Sequence, residues 1–191
     1  MIYELSPKDQ TTDVWLFYDF IARKVKPRSV YQHLVCPSCG KLDELGAVAL
    51  GLPSVDVVSK VDWFSTNDDW ILVSERVVEL CNSLKLSGVA FIPLPNATRH
   101  LLWIATGAPT DYANAGFEEK GPICTSCTRP RERLVGPFIS GMKVPTESSV
   151  FRSEVWNESV KGRYSPLFAS ADVVKAMKAA KISGLEYNQP L

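Results

Sequence analysis

The sequence predicts an α+β protein: a mixed or antiparallel sheet, two capped helices, and a clip made of two cysteine knuckles. Three observations predict it. Two stretches pass from a short apolar run through a serine into a helical apolar stripe and back to an apolar run. Aromatic and β-branched runs elsewhere are short and bounded by Gly, Pro and polar residues, which suits antiparallel strands. Two CxxC pairs, Cys36/Cys39 and Cys124/Cys127, stand far apart among turn-forming residues.

Taken in order, the first strand is expected over Met1 to Leu5 and the second over the aromatic-rich run Trp15 to Ile21. A basic stretch follows, Arg23-Lys24-Val25-Lys26-Pro27-Arg28, and Val30 to Val35 leads into the first knuckle. Residues 46–59 hold Gly and Pro at irregular spacing and read as loop with short strands. Ile71 to Val73 reads as a strand. Ser74 is expected to cap a helix, because its hydroxyl can accept a free N–H of the first turn. Val77, Val78, Cys81 and Leu84 form one apolar face, and Gly88 is expected at the left-handed position that stops the helix. Val89 to Ile92 returns as a strand, halted by Pro93 and Pro95.

The C-terminus repeats this plan. Ser74, Val77, Val78, Lys85, Ser87 and Gly88 match Ser170, Val173, Val174, Lys181, Ser183 and Gly184 at one constant offset of 96. Caps account for the Ser and Gly. They leave the Val pair and the Lys-x-Ser-Gly ending unaccounted for, so 70–94 and 166–190 read as an internal repeat within one domain spanning 1–191. Between the repeats lie a strand over His100 to Thr106, a polar loop over Gly107 to Lys120, Leu134 to Ile139, and a loop over Gly141 to Ser149. Val150 to Ser153 suits an edge strand.

Composition bounds the function. A chain of 191 residues with 46% hydrophobic and 22% charged residues buries a sizeable core without staples. The formal net charge is zero, which lacks the basic excess that phosphate neutralisation requires. The N-terminus MIYELSPKDQTTD is unlike a signal peptide, and no apolar run reaches the roughly 18 residues of a membrane helix. The cytoplasm is the expected compartment. There, five cysteines favour free thiols or metal ligands over disulfides.

The knuckles at 36–40 and 124–128 carry the chemistry. In Cys36-Pro37-Ser38-Cys39-Gly40, two intervening residues let both sulfurs reach one metal while the glycine lets the backbone turn. With Cys124-Thr125-Ser126-Cys127 the set is four thiolates, each about 2.3 Å from one zinc ion, a closed and structural site. A thioredoxin-like redox pair is the competing reading, but neither CxxC is followed by a helix signal. His33 lies three residues before the first knuckle and His100 opens a strand, yet four cysteines already satisfy zinc. Cys81 falls on a helix's apolar face and reads as a small buried hydrophobe. No P-loop, G-x-G-x-x-G, G-x-S-x-G or H-E-x-x-H is present. Asp68-Asp69 reads as a solvated turn rather than a carboxylate pair, and Arg129, Arg131 and Arg133 as a solvated loop or a grip on phosphate or an acidic partner. Trp63-Phe64 and Trp156 stand in polar surroundings, where exposed aromatics would mark a protein-binding surface.

The order of parts adds a resemblance. A knuckle, a capped strand–helix–strand unit, a second knuckle, a Gly-Pro-Phe loop and the ending Ile182-Ser183-Gly184-Leu185-Glu186-Tyr187 follow one another. This order resembles the bacterial double-CxxCG-motif family, over about residues 30 to 191. Thr128 departs from the pattern, standing where the second knuckle's glycine belongs. The resemblance implies an interaction protein, since members encoded beside polymorphic toxins are regarded as immunity proteins. The expectation is therefore a zinc-binding, non-enzymatic protein of the cytoplasm that neutralises a cognate toxin by occlusion. Its partner surface is expected near 107–120 and 141–149. The alternative is a zinc-ribbon nucleic-acid-binding or regulatory module using Arg23 to Arg28 and Arg129 to Arg133. An enzyme with a dispersed site is a third reading.

Overall fold

The computed structural model describes residues 2–8, 14–103, 124–127, 149–152, 157–158, 163–164 and 167–188. They form an α+β architecture in which every strand pairing is antiparallel. In chain order the strands are β1 (Ile2–Pro7), β2 (Tyr18–Ile21), β3 (Lys24–Pro27), β4 (Trp63–Ser65), β5 (Ile71–Ser74), β6 (Ala90–Pro93) and β7 (Arg99–Trp103). β8 (Val150–Arg152), β9 (Asn157–Glu158), β10 (Arg163–Tyr164), β11 (Leu167–Ser170) and β12 (Leu185–Asn188) follow. The helices are α1 (Glu44–Leu50), α2 (Glu75–Ser83) and α3 (Ala171–Ala179), with a 3-10 helix over Ser29–Leu34. Two four-stranded sheets run β4-β5-β7-β6 and β12-β1-β11-β8, beside the two-stranded ribbons β2-β3 and β9-β10.

The offset read in the sequence recurs in the backbone. α2 and α3 end identically: the N–H groups of Leu86 and Ile182 reach the carbonyls of Cys81 and Met177, and those of Lys85 and Lys181 reach Asn82 and Lys178. This is the Schellman ending, in which a left-handed residue lets orphan carbonyls be satisfied. The left-handed residue is Lys85, and Lys181 in the second unit, both at φ +51. Gly88 and Gly184, expected at that position, occupy the next turn at φ +81 and +80. The strand registers also agree. Phe64 opposes Leu72 as Phe151 opposes Phe168, and Leu101 sits between Leu72 and Ile92 as Glu4 sits between Phe168 and Asn188. The place that β7 fills after β6 in the first unit is filled in the second by β1, from the other end of the chain.

Both units contribute to one core. Val73, Val77, Val78 and Cys81 pack with Ala169, Val173, Val174 and Met177, joined by Trp63, Leu5 and Val150. The apolar stripes of α2 and α3 belong to the same buried cluster, so the two helices share one core. Reciprocal hydrogen bonds tie the halves: Asp62 N–H donates to Ser183 Oγ at 3.0 Å, and Ser149 N–H donates to Ser87 Oγ at 3.3 Å. Gly184 is required here, because a Cβ would meet the Trp63 carbonyl oxygen. A second core lies on the far face of the β4-β5-β7-β6 sheet. Phe64, Leu72 and Trp70 meet Leu16, Phe17, Tyr31, Leu42 and Ala47 there. Phe17 packs edge-on against Tyr31 and Trp70, at centroid distances of 5.5 and 5.0 Å.

Four further expectations need correction. Residues 46–59 are not loop with short strands: α1 occupies Glu44–Leu50, and residues 51–59 are extended without a strand partner among the described residues. Two turns are too few to show a helical stripe, and Gly46 and Gly51 disguise them. Ser74 occupies the N-cap position, but its hydroxyl does not cap; it donates to Asp62 Oδ1 at 2.8 Å. In α3 the cap forms as expected, Ser170 accepting from Val173 N–H. Trp63 and Phe64 are 1% and 0% exposed, core residues rather than surface anchors. They alternate on a strand buried on both faces, so polar neighbours in sequence say nothing about exposure. Asp68 is fully buried, not part of a solvated turn. Its carboxylate accepts the N–H groups of Leu16 and Phe17 and the Thr66 hydroxyl, and burial pushes its pKa up.

Candidate metal centre

The first knuckle is built on the second core. A bridge between Val35 and Leu42 closes a narrow loop. Cys36 N–H donates to Lys41 O at 2.8 Å, and Gly40 N–H donates to Cys36 O at 2.8 Å. Gly40 sits at φ +71 with open space where a Cβ would be, so the turn needs glycine for its backbone angle alone. The 3-10 helix before the loop and α1 after it are held together by Asp43 N–H donating to Leu34 O at 3.0 Å. Tyr31 and Leu42, at 1% and 0% exposure, root both flanks in the core.

The structure brings the two CxxC pairs together. The four Sγ atoms of Cys36, Cys39, Cys124 and Cys127 all lie within 4.8 Å of one another. Cys36 Sγ is 3.9 Å from Cys124 Sγ, and Cys39 Sγ is 3.6 Å from Cys127 Sγ. A disulfide needs about 2.05 Å, so these are free thiols. A regular tetrahedron with metal–sulfur bonds of about 2.3 Å has edges of about 3.8 Å, which these two separations straddle. The cluster therefore fits one four-coordinate metal ion.

The two knuckles mirror each other. Cys36 is held below the ordinary thiol range by the N–H groups of Ser38 and Cys39. Cys124 is drawn down to about 6 by those of Cys127 and Ser126. Cys39, packed among the other sulfurs, is pushed up to about 11 by burial. The two loops thus stabilise one thiolate each before any cation arrives. A divalent ion would supply the charge that deprotonates the rest, releasing protons as it binds. With four sulfurs in place no coordination position remains for water or substrate, so the ion's role would be to clip 36–39 to 124–127.

One contact in the clip escapes the sequence: Ser38 Oγ and Ser126 Oγ are 2.6 Å apart, pinning the knuckle tips together. Both hydroxyls stand at the same place in their loops, and that was the available signal. The remaining candidates scatter. His33 is exposed and outside the cluster. His100 lies on β7, its Nε2 3.3 Å from Glu75 Oε2. Cys81 is buried in the inter-unit core, where desolvation pushes its thiol up to about 11. Of the basic stretch, Arg28 turns inward, its Nε donating to Leu16 O and its Nη2 to Trp15 O. Trp156, Arg129, Arg131, Arg133 and residues 107–120 and 141–148 lie outside the described residues. Among the described residues no helix is long and apolar enough to cross a membrane. No protein-family model matches the chain, and no curated protein matches it at a significant level.

Proposed function

We propose that this chain is a zinc-clipped, non-enzymatic protein-interaction protein that neutralises a cognate bacterial toxin by covering its active site. The four-cysteine cluster carries the reading. It is closed, and its sulfur spacing suits zinc, a d10 ion with no preference against a tetrahedral all-thiolate shell. Such a site organises a scaffold and leaves the chemistry to whatever the scaffold binds. Free thiols that stay reduced call for a reducing compartment, the cytoplasm. The immunity role comes from the resemblance to double-CxxCG-motif proteins, whose paralogues would discriminate between toxins through differences in affinity.

The nucleic-acid module has one supporting observation, the exposed Lys24 and Lys26 on the β2-β3 ribbon. It is the weaker reading. Arg28 is consumed by main-chain carbonyls, and zero net charge supplies no wider basic field. Two measurements test the proposal. Elemental analysis of protein purified without added metal should find one zinc per chain; metal-free protein with four reactive thiols would refute the clip. Co-expression with the product of the neighbouring gene should suppress that product's toxicity. Undiminished toxicity would end the immunity reading and leave the clip standing.

A further inference from the structure

Residues 51–59 are an extended segment that no strand accompanies among the described residues. From Leu52 to Lys60 its residues alternate between half-buried and exposed, apart from the half-buried pair Leu52 and Pro53. Leu52, Val55 and Val57 pack on the second core, while Ser54, Asp56 and Val58 face outward, Val58 at 91% exposure. That period of two is the signature of a sheet strand. The sequence Val55-Asp56-Val57-Val58 is rich in β-branched residues, which favour that state. Yet among the described residues none of the main-chain groups from Leu52 to Val58 makes a hydrogen bond.

The segment is nonetheless held at both ends. Tyr31 Oη donates to Gly51 O at 2.8 Å, and Arg99 Nη2 donates to Ser59 O. These clamps fix an extended conformation without using the edge between them. An open strand edge is a template for another strand, and one already extended has less ordering to undergo on binding. A groove of about 360 Å³ adjoins its middle, lined by Trp15, Asp19, Phe20, Arg28, Val55 and Asp56. Trp15 and Phe20 form its aromatic wall, with ring planes 4° apart and centroids 6.3 Å apart. The Asp19 carboxylate is 3.3 Å from Arg28, which leaves Asp56 as the outward negative charge of the groove. An aromatic wall beside a carboxylate suits a cationic side chain, held by cation–π and ionic attraction together.

We infer that residues 51–59 are a preformed docking strand, which pairs main chain to main chain with an extended segment of a partner protein. That segment carries Lys or Arg in the Trp15/Asp56 groove and an apolar residue two positions away over Val58. This deepens the protein-partner part of the proposed function and rests on it, but its test needs no toxin. The main-chain pairing supplies attachment, and the alternate side chains supply selectivity.

The probe is a capped seven-residue threonine peptide with valine at its second and sixth positions and arginine at its fourth. In the free protein the amides of Val55 to Val58 should exchange with deuterium almost as fast as unfolded chain, and slow about tenfold or more when peptide is added. A twin N-methylated on alternate amides should not bind. Replacing the peptide's arginine by glutamate should weaken binding about tenfold, and the variant Asp56→Lys should reverse that order of preference. Three results would overturn the inference. Slow exchange in the free monomer would mean that the chain already covers its own strand. A dimer that protects the same amides would assign the strand to a second copy. Equal binding of the N-methylated peptide would show that no main-chain pairing occurs. Failure of the co-expression experiment alone would leave these results unaffected.

Discussion

The junction between the two units centres on Asp62, and removing its carboxylate should show what holds them together. In Asp62→Ala the carboxylate loses the Ser183 N–H at 3.0 Å, the Ser183 hydroxyl at 2.8 Å and the Ser74 hydroxyl at 2.8 Å, with Arg76 at 3.4 Å. Hydrogen bonds to a charged acceptor contribute about 1.5–3 kcal/mol each when buried. The two hydroxyls can turn to water, and the Asp62 side chain keeps 14% exposure, so the three bonds together should be worth about 2–3 kcal/mol. For a chain of 191 residues that is about 5–10 °C in melting temperature. Burial would raise the Asp62 pKa, but the Ser183 N–H, the Ser74 and Ser183 hydroxyls and the Arg76 charge outweigh it and hold it below its ordinary 3.8. A depressed carboxylate contributes stability that is present above the unfolded-state pKa and fades as pH falls through the folded one. The gap between wild type and variant should therefore be full at pH 7 and shrink steadily below about pH 4. Denaturant titrations at pH 7 and pH 3 measure it. A loss under about 0.5 kcal/mol at pH 7, or a gap that does not narrow at all in acid, would refute the assignment of Asp62 as the charged clasp between the units.

Three further outcomes are expected. Gly184→Ala should cost more than about 3 kcal/mol, because a left-handed φ and a collision with the Trp63 carbonyl act together, whereas Gly40→Ala should cost about 1–2 kcal/mol from the φ alone; equal losses in thermal melts would contradict this. Lys85→Gly and Lys181→Gly should each stabilise the protein by about 0.5–1 kcal/mol, since both lysines hold φ +51 at a helix end that glycine fills without strain; denaturant midpoints that move down would remove the premise. Cys36→Ser should lower the melting temperature clearly yet leave the chain folded at 25 °C, because zinc's apparent 10–16 kcal/mol or so in isolated peptides is only partly needed where two cores exist; loss of the far-ultraviolet circular dichroism signal at 25 °C would show that the cores do not suffice.

Several features were legible because their cause is local. The stripe Val77-Val78-Cys81 specified α2, and Val173-Val174-Met177 specified α3, through helical spacing alone. The paired CxxC spacing named the four residues that the fold gathers within 4.8 Å. The Lys-x-Ser-Gly endings named two loops whose left-handed lysines and glycines adopt nearly equal angles. Where the cause is a distant partner, local reading failed. Ser74 looks like a cap from its neighbours, but Asp62, just before β4, claims its hydroxyl. Asp68 looks solvated until the N–H groups of Leu16 and Phe17, some fifty positions away, arrive to satisfy it.

The sequence by itself determined the helices α2 and α3, which cysteines form a set, and that two stretches share a plan, because spacing and backbone chemistry reside in consecutive residues. Only the tertiary structure decided that β1 completes the second unit's sheet, that Trp63 and Phe64 face opposite cores, and that residues 51–59 are extended with no strand beside them among the described residues. The physical reason is that strand pairing joins residues at any separation. The hydrogen bonds that make or withhold a strand belong to its neighbour in space, and a residue's burial depends on what covers it rather than on what precedes it.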